Sequence, residues 1–184
     1  MPPGPGADTA PGAGPGAAAG AGAAAPHRAV VALGANLGDR EATLRAAVAD
    51  LDAADGIRVV AVSPLVESVA VALDGPDAGR PGYLNGVALV ESGRGPRELL
   101  ELLHRIEADH GRVRLERWGD RTLDLDLVDV DGAVLDTGGL TLPHPRAAER
   151  DFVLGPWLAV DPEATLPGRG RVDALLAALV GAGR

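Results

Sequence analysis

Two aspartates and a group of arginines lie close together in the sequence GRVRLERWGDRTLDLD, which runs from Gly111 to Asp126. Side chains of a β-strand alternate between its two faces, so Asp124 and Asp126 share one face and the neighbouring leucines share the other. Paired carboxylates suit Mg²⁺ when phosphate oxygens complete its shell. Arginine guanidinium groups match phosphate oxygens, and four of them precede the aspartates: Arg112, Arg114, Arg117 and Arg121. The stretch therefore predicts a site for a metal ion and a phosphate-bearing ligand.

Each part of this stretch also has a purely structural interpretation. Polar residues on the solvent face of a half-buried strand are common, and an arginine loop can simply balance nearby acids. Two features favour a ligand. Asp124 and Asp126 are adjacent on one strand face and repel each other unless a cation lies between them, and the ring of Trp118 offers a stacking surface for a base or another flat ligand.

Composition limits the class of protein that carries this site. The chain has 184 residues, 46% of them hydrophobic, which is enough for one core. The net charge of -9 argues against a general binder of nucleic acids or other polyanions, so the arginines form a local feature on an acidic protein. The absence of cysteine excludes disulfides, thiolate catalysis and zinc-thiolate sites.

The first 27 residues are rich in Ala, Gly and Pro and carry almost no larger apolar side chain. Such a segment cannot bury enough surface to offset its ordering entropy, so we expect residues 1–27 to be a disordered tail and residues 28–184 to be a single domain. We find no secretory signal pattern and no apolar run of membrane-spanning length. The expected location is the cytoplasm, with no membrane partner.

Hydrophobic periodicity predicts the order βαββαβ over the first part of this domain. This order is the ferredoxin-like α+β fold, in which two helices cover one face of an antiparallel sheet, and here a C-terminal extension follows it. Asp131-Gly132 predicts a hairpin turn into residues 133–135, and residues 72–82 predict a long flexible loop. The predicted elements are strands at 29–33, 57–68 with a break near Pro64, 83–90 and 122–130, and helices at 40–54, 96–111 and 172–180.

Other candidate residues leave alternatives open. Gly34 to Gly38 lies between a strand and a helix but lacks the lysine and hydroxyl of a phosphate loop, which favours a structural turn. His144 is either a rigid turn residue or part of an anion site with Arg146 and Arg150. Tyr83 and Asn85 share one strand face and are either ordinary sheet residues or contacts to a flat polar ligand. His104 lies among leucines and fits a packing or surface role.

Taken in order, several motifs resemble the 6-hydroxymethyl-7,8-dihydropterin pyrophosphokinases of the folate pathway. The resemblance covers residues 29–176, and the RWGDRTLDLDL element followed by PHPR is its most specific part. The motifs read VVALGANLGDREATL, SPLVES, YLNGVALV, LLELLHRIE, GRVRLERWGDRTLDLDL, LTLPHPRAAERDFVL and PWLAVDP.

The resemblance implies transfer of the β,γ-diphosphate of ATP to the pterin hydroxymethyl oxygen, with release of AMP. It implies that Asp124 and Asp126 hold two Mg²⁺ ions, that Arg112 and Arg121 contact the transferring phosphates, and that further residues bind ATP or the pterin. The implied ATP-binding residues are Arg114, Trp118, His144 and Arg150, and the implied pterin-binding residues are Tyr83, Asn85, Phe152, Ala70 and Val71.

Two other classes of function remain as alternatives. A ferredoxin-like nucleic-acid-binding module normally presents stacking aromatics on its sheet and a basic surface, whereas this sheet offers only Tyr83 and the chain is acidic. A catalytically silent protein that binds a nucleotide or a pterin would retain the pocket without turnover. The expected partners are therefore ATP and a reduced pterin, with no nucleic acid, and the expected oligomeric state is a monomer.

Overall fold

A four-stranded antiparallel sheet, extended by one short strand, forms the centre of the protein. The computed structural model describes residues 25–69, 71–72, 75–76, 81–111 and 122–182. The strands are β1 His27–Ala35, β2 Ile57–Val62, β3 Val66–Ser68, β4 Val71–Ala72, β5 Gly75–Pro76, β6 Tyr83–Ser92, β7 Asp124–Val130, β8 Leu135–Thr137, β9 Leu140–Leu142, β10 Thr165–Leu166 and β11 Gly170–Arg171. The helices are α1 Arg40–Ala53, α2 Pro96–Asp109, α3 Asp151–Val160 and α4 Val172–Ala182, with a short 3₁₀ helix over Ala147–Glu149.

The strand order β2-β6-β1-β7, with β3 beside β6, confirms the predicted ferredoxin-like α+β fold. All pairings in this sheet are antiparallel. The two halves of the expected irregular strand are β2 and β3, and Pro64 lies in the break between them as predicted. β1 begins at His27, which the sequence had assigned to the tail.

Helices α1 and α2 cover one face of the sheet, as predicted. The side chain of Asp39 accepts a hydrogen bond from the backbone N–H of Ala42 at 3.0 Å and so caps α1. Pro96 occupies the first turn of α2, where its missing N–H removes no helical bond. Each fully buried leucine contributes about 1.5–3 kcal/mol of transfer free energy. The leucines that pack these helices against the sheet include Leu44, Leu51, Leu99, Leu103, Leu125 and Leu127.

The C-terminal extension covers the opposite face of the sheet. Trp157 of α3 packs in a second core with Val30 of β1 and Val87 of β6. Helix α3 was not among the predicted elements, because Gly155 and Pro156 at its centre are typical helix breakers. The buried side chains of this helix stabilise it despite Pro156.

The turn at Asp131-Gly132 forms as predicted, but the hairpin prediction was wrong. Both residues have positive φ, 52° and 69°, as this tight turn type requires. The chain that follows does not pair with β7. Instead β8 pairs with β9, with Leu135 opposite Leu142. This pairing allows both leucines to pack in the core that also contains the leucines of α2.

Gly34 to Gly38 forms a strand end and a turn, in agreement with the structural interpretation. β1 continues through Ala35, Asn36 is buried, and Gly38 has a φ of 64°. A side chain at Gly38 would be strained by this φ. Of the predicted loop at 72–82, residues 73–74 and 77–80 lie outside the described ranges, and β4 pairs with β5 across the first gap.

Burial raises the pKa of Asp129 on β7, and nearby Asp131 adds to the increase against the opposing effect of the hydrogen bond from Gly132 N. The pKa of Asp129 is therefore higher in the folded than in the unfolded state. Because of this difference, the free energy of unfolding falls as the pH rises from the unfolded-state pKa to the raised folded-state pKa. Asp129→Asn keeps an acceptor for Gly132 N, which lies 3.0 Å from the present Oδ2.

We therefore expect Asp129→Asn to raise the melting temperature by a few degrees at about pH 7 and to lose this advantage near pH 4. Thermal unfolding at both pH values checks this. The exposed Asp55→Asn is the matched control, for which we expect no change. A gain for Asp129→Asn of equal size at both pH values would contradict the interpretation.

Candidate active site

Asp124 and Asp126 lie on the face of β7 that is turned towards α3. Leu125 and Leu127 between and beside them are buried in the core on the other face, which fixes the direction of both carboxylates. β7 is paired with β1 over this stretch, with Gly34 opposite Asp124. The alternation predicted from the sequence is confirmed, and the two aspartates have a rigid support.

The carboxylate of Asp126 already has a cationic neighbour. Nη1 of Arg150 donates to Asp126 Oδ2 at 2.7 Å, and both side chains are partly buried. The guanidinium of Arg150 also lies 5.8 Å from the ring centroid of Phe152, within the range of a cation–π contact. Arg150 directly precedes α3, so this helix brings both residues to the aspartates.

His144 is held next to the same carboxylate by its backbone. Its N–H donates to the carbonyl of Val128 at 2.8 Å, and its Nε2 lies 3.8 Å from Asp126 Oδ2. Burial lowers the pKa of His144; Asp126 opposes this shift, whereas Arg150 and Arg146 reinforce it. Because Nδ1 accepts a bond from Arg146 N at 3.2 Å, the neutral ring carries its proton on Nε2, which faces Asp126.

A cavity of about 230 Å³, here called the Asn85 cavity, opens between the sheet and α3. Asn85 is buried, and its amide donates to Ser68 Oγ at 2.9 Å. A Cβ at Gly34 would approach Asn85 Oδ1 to 3.4 Å, so glycine keeps this wall open. The cavity is lined by both aspartates and by Ala32, Leu33, Gly34, Ser68, Val69, Tyr83, Asn85, Arg146, Glu149, Arg150, Phe152 and Val153.

A second cavity, here called the Thr141 cavity, has a volume of about 460 Å³ and lies between β7, α2 and the β8–β9 hairpin. Asp126 lines both cavities, so they meet at this carboxylate. The side chain of Thr141 donates to Asp136 at the rim. The other lining residues are Leu100, Leu127, Thr137, Gly138, Gly139, Leu140, His144 and Pro145.

The structure brings together seven of the site residues predicted from the sequence. Four others, Arg112, Arg114, Trp118 and Arg121, lie outside the described residues, as does Ala70, and for Val71 only the backbone is described. The seven are Tyr83, Asn85, Asp124, Asp126, His144, Arg150 and Phe152.

Sequence reasoning missed the Thr141 cavity and the cavity-lining role of Glu149, whereas Arg146, which also lines the Asn85 cavity, was already a candidate for an anion site with His144 and Arg150. The Thr141 cavity depends on how the β8–β9 hairpin packs against β7, which no local pattern reveals. Arg146 and Glu149 form an ion pair at 3.8 Å across the 3₁₀ helix. The signal for Glu149 was its position between His144 and Arg150, because the short segment that joins these two residues cannot leave the site.

Comparison with known proteins identifies the family. Residues 30–162 match the 7,8-dihydro-6-hydroxymethylpterin-pyrophosphokinase family. A Synechocystis 2-amino-4-hydroxy-6-hydroxymethyldihydropteridine pyrophosphokinase is 41% identical over 145 residues, which cover 79% of this chain and 72% of that protein. The Pseudomonas aeruginosa protein of the same name is 40% identical over 151 residues, covering 82% of this chain and 91% of its own length.

Solved structures agree on the fold. The wild-type Plasmodium falciparum HPPK-DHPS crystal structure has a TM-score of 0.62 and 12% sequence identity, and the match covers 85% of this chain and 45% of that one. This chain thus spans less than half the length of that solved protein. Within the described residues, no helix is long and apolar enough to cross a membrane. The family match, together with relatives near 40% identity, establishes that this chain belongs to the 7,8-dihydro-6-hydroxymethylpterin-pyrophosphokinase family.

Proposed function

We propose that the two cavities hold the two substrates of a diphosphate transfer from ATP to 6-hydroxymethyl-7,8-dihydropterin, which releases AMP and belongs to folate biosynthesis. The chain's family is a family of pyrophosphokinases, so ATP is its co-substrate. The observation that carries the proposal is that both cavities open onto Asp126. Two ligands in these cavities would direct their reacting groups towards the same pair of carboxylates.

The Asn85 cavity suits the pterin. Tyr83 and Phe152 both line it and offer rings on which a flat heterocycle can stack. Asn85 is buried and carries both a donor and an acceptor, which matches the alternating polar edge of a pterin. Backbone groups from Ser68 to Val71, including Ala70, are proposed to complete the contact to that edge.

The Thr141 cavity suits the nucleoside part of ATP. Apolar Leu100 and Leu127 line it beside the polar Thr141. A base in this cavity would place the triphosphate next to His144, whose Nε2–H is available as a donor to a phosphate oxygen. Arg114, Trp118 and Arg150 are proposed as further nucleotide contacts, and Arg112 and Arg121 as contacts to the transferring phosphates.

Asp124 and Asp126 are proposed to hold Mg²⁺, with two ions expected. The residues fit this ion because two carboxylates from one rigid strand face the same cavity, and Mg²⁺ typically takes one or two carboxylates and completes its shell with phosphate and water oxygens. When bound, Mg²⁺ supplies charge neutralisation on the triphosphate. Arg150 balances Asp126 at 2.7 Å.

The chain's own contribution to the reaction is position and charge. Diphosphate transfer needs an in-line arrangement of the pterin hydroxyl and the β-phosphorus more than it needs a covalent nucleophile. The sheet holds Asn85 on β6 and both aspartates on β7, with β1 between these two strands, and α3 brings Arg150 and Phe152 to the same cavity. Substrates that fill both cavities would keep water from taking the place of the pterin hydroxyl.

The test is the identity of the products. The purified protein with ATP, Mg²⁺ and 6-hydroxymethyl-7,8-dihydropterin is expected to form AMP and the pterin diphosphate in equal amounts, and a chelator is expected to stop the reaction. The reaction without pterin is the control and should yield no AMP. Formation of ADP, or no turnover by folded protein, would contradict the proposal.

A further inference from the structure

Glu107 is a buried acid on the otherwise apolar face of α2. Its relative exposure is 1%, and its neighbours on this face are leucines and Ile106. A carboxyl group is rarely found in such surroundings unless a specific partner compensates for its lost hydration. Nothing in the two substrate cavities accounts for this residue, because Glu107 lines neither of them.

The partner is the backbone between the two aspartates. Oε1 of Glu107 accepts a hydrogen bond from Leu125 N at 2.8 Å, and this contact is buried. In the described part of the sheet, β7 pairs with β1 only and is an edge strand. The N–H of Leu125 therefore points away from β1, at a place where a further strand would otherwise supply an acceptor.

The bond acts on both aspartates because Leu125 joins them. On one side, β7 is fixed by its pairing with β1, in which Leu33 lies opposite Leu125. On the other side, Glu107 ties the same peptide to α2, whose face towards the sheet is buried. Without that second attachment the strand end that carries Asp124 has an unsatisfied N–H and more freedom to move, which changes the spacing of the carboxylates.

We propose that Glu107 is a positioning residue for the diphosphate transfer: its carboxyl group replaces the missing neighbouring strand at Leu125 and thereby fixes the separation of Asp124 and Asp126. The inference rests on the proposed metal-binding role of these aspartates. It assigns Glu107 no contact with either substrate.

Three variants separate this role from a general packing role. Glu107→Leu removes the acceptor and introduces an apolar side chain of similar size. Glu107→Gln keeps an acceptor oxygen for Leu125 N. Glu101→Leu makes the same change on the exposed side of α2 and is the matched control.

The readout is Mn²⁺ binding in the presence of a non-hydrolysable ATP analogue, followed by electron paramagnetic resonance, together with kcat and the KM for the pterin. Loss of an outer-shell partner weakens metal binding about 10- to 100-fold in known sites, and we expect Glu107→Leu to fall near the lower end. Its kcat should fall in parallel, with the KM for the pterin almost unchanged. Glu107→Gln and Glu101→Leu should resemble the wild type.

Wild-type Mn²⁺ affinity in Glu107→Leu, or an equal loss in Glu107→Gln, would overturn the inference while leaving the proposed function intact. Failure of the wild type itself to bind Mn²⁺ would instead overturn the metal assignment and this inference with it.

Hydrogen exchange at the backbone amide of Leu125 is a second test, which needs no variant. Slow exchange of this amide in the wild type is expected, and exchange as fast as that of an open strand edge would overturn the inference even if Glu107→Leu does not fold.

Discussion

Asp126→Asn is expected to lower kcat by about a thousandfold, because electrostatic stabilisation of a transferring phosphate is among the largest single contributions to catalysis. Among the residues that the structure describes, Asp126 is the one that lines both cavities. The amide keeps the size of the carboxylate and removes its charge, so a metal held there loses an anionic ligand. The rate of AMP formation at saturating ATP, pterin and Mg²⁺ measures the effect.

The fold should tolerate Asp126→Asn. The amide can still accept the hydrogen bond from Arg150, and its neutrality removes the repulsion between Asp126 and Asp124. The side chains of the ion pair are 20% and 28% exposed, so solvent screens part of their attraction. We expect the melting temperature to change by no more than a few degrees.

The control for this substitution is Asp55→Asn, which changes an exposed aspartate after α1. It should leave both the rate and the melting temperature as in the wild type. Near-wild-type turnover by Asp126→Asn would contradict the assignment of this residue to the metal. A large loss of melting temperature that accounts for the loss of activity would instead assign it a structural role.

Asn85→Leu is expected to raise the KM for the pterin about a hundredfold, because a buried polar group on the ligand would lose its partner at a cost of roughly 1–3 kcal/mol for each unmade bond. Leucine has the same branching as asparagine at the same strand position, so the substitution removes both polar atoms and keeps a side chain at this wall of the cavity. The KM for ATP should change little, since Asn85 does not line the Thr141 cavity.

Ser68→Ala provides a graded comparison for Asn85→Leu. It removes the acceptor that orients the Asn85 amide, at 2.9 Å, but leaves the amide itself in the cavity. We expect a smaller rise in the KM for the pterin than for Asn85→Leu. Equal changes in the KM for ATP and for the pterin in either variant would count against the assignment of the Asn85 cavity to the pterin.

The parts of the fold that the sequence predicts are those set by local patterns. The period of two in TLDLDL predicts which face carries Asp124 and Asp126, and the described strand has that orientation. Asp39 and Pro96 mark the starts of α1 and α2 because capping and the missing N–H are local effects. Tyr83 and Asn85 share a face for the same reason as the aspartates.

The parts that the sequence does not predict depend on contacts between distant segments. Gly155-Pro156 disfavours a helix locally, yet α3 forms because its buried residues pack on the second face of the sheet. The Asp131-Gly132 turn has the predicted backbone conformation, but tertiary packing directs the next strand to β9. Glu107 had a signal that can be recognised afterwards, since an acid four residues after Leu103 interrupts the apolar stripe of α2.

A crystal structure of the protein with Mg²⁺, a non-hydrolysable ATP analogue and the pterin would show whether the two substrates meet at the carboxylates of Asp124 and Asp126. We expect Mg²⁺ on Asp124 and Asp126, the pterin in the Asn85 cavity between Tyr83 and Phe152, and the nucleoside in the Thr141 cavity. Mg²⁺ bound elsewhere, or a pterin outside the Asn85 cavity, would contradict it.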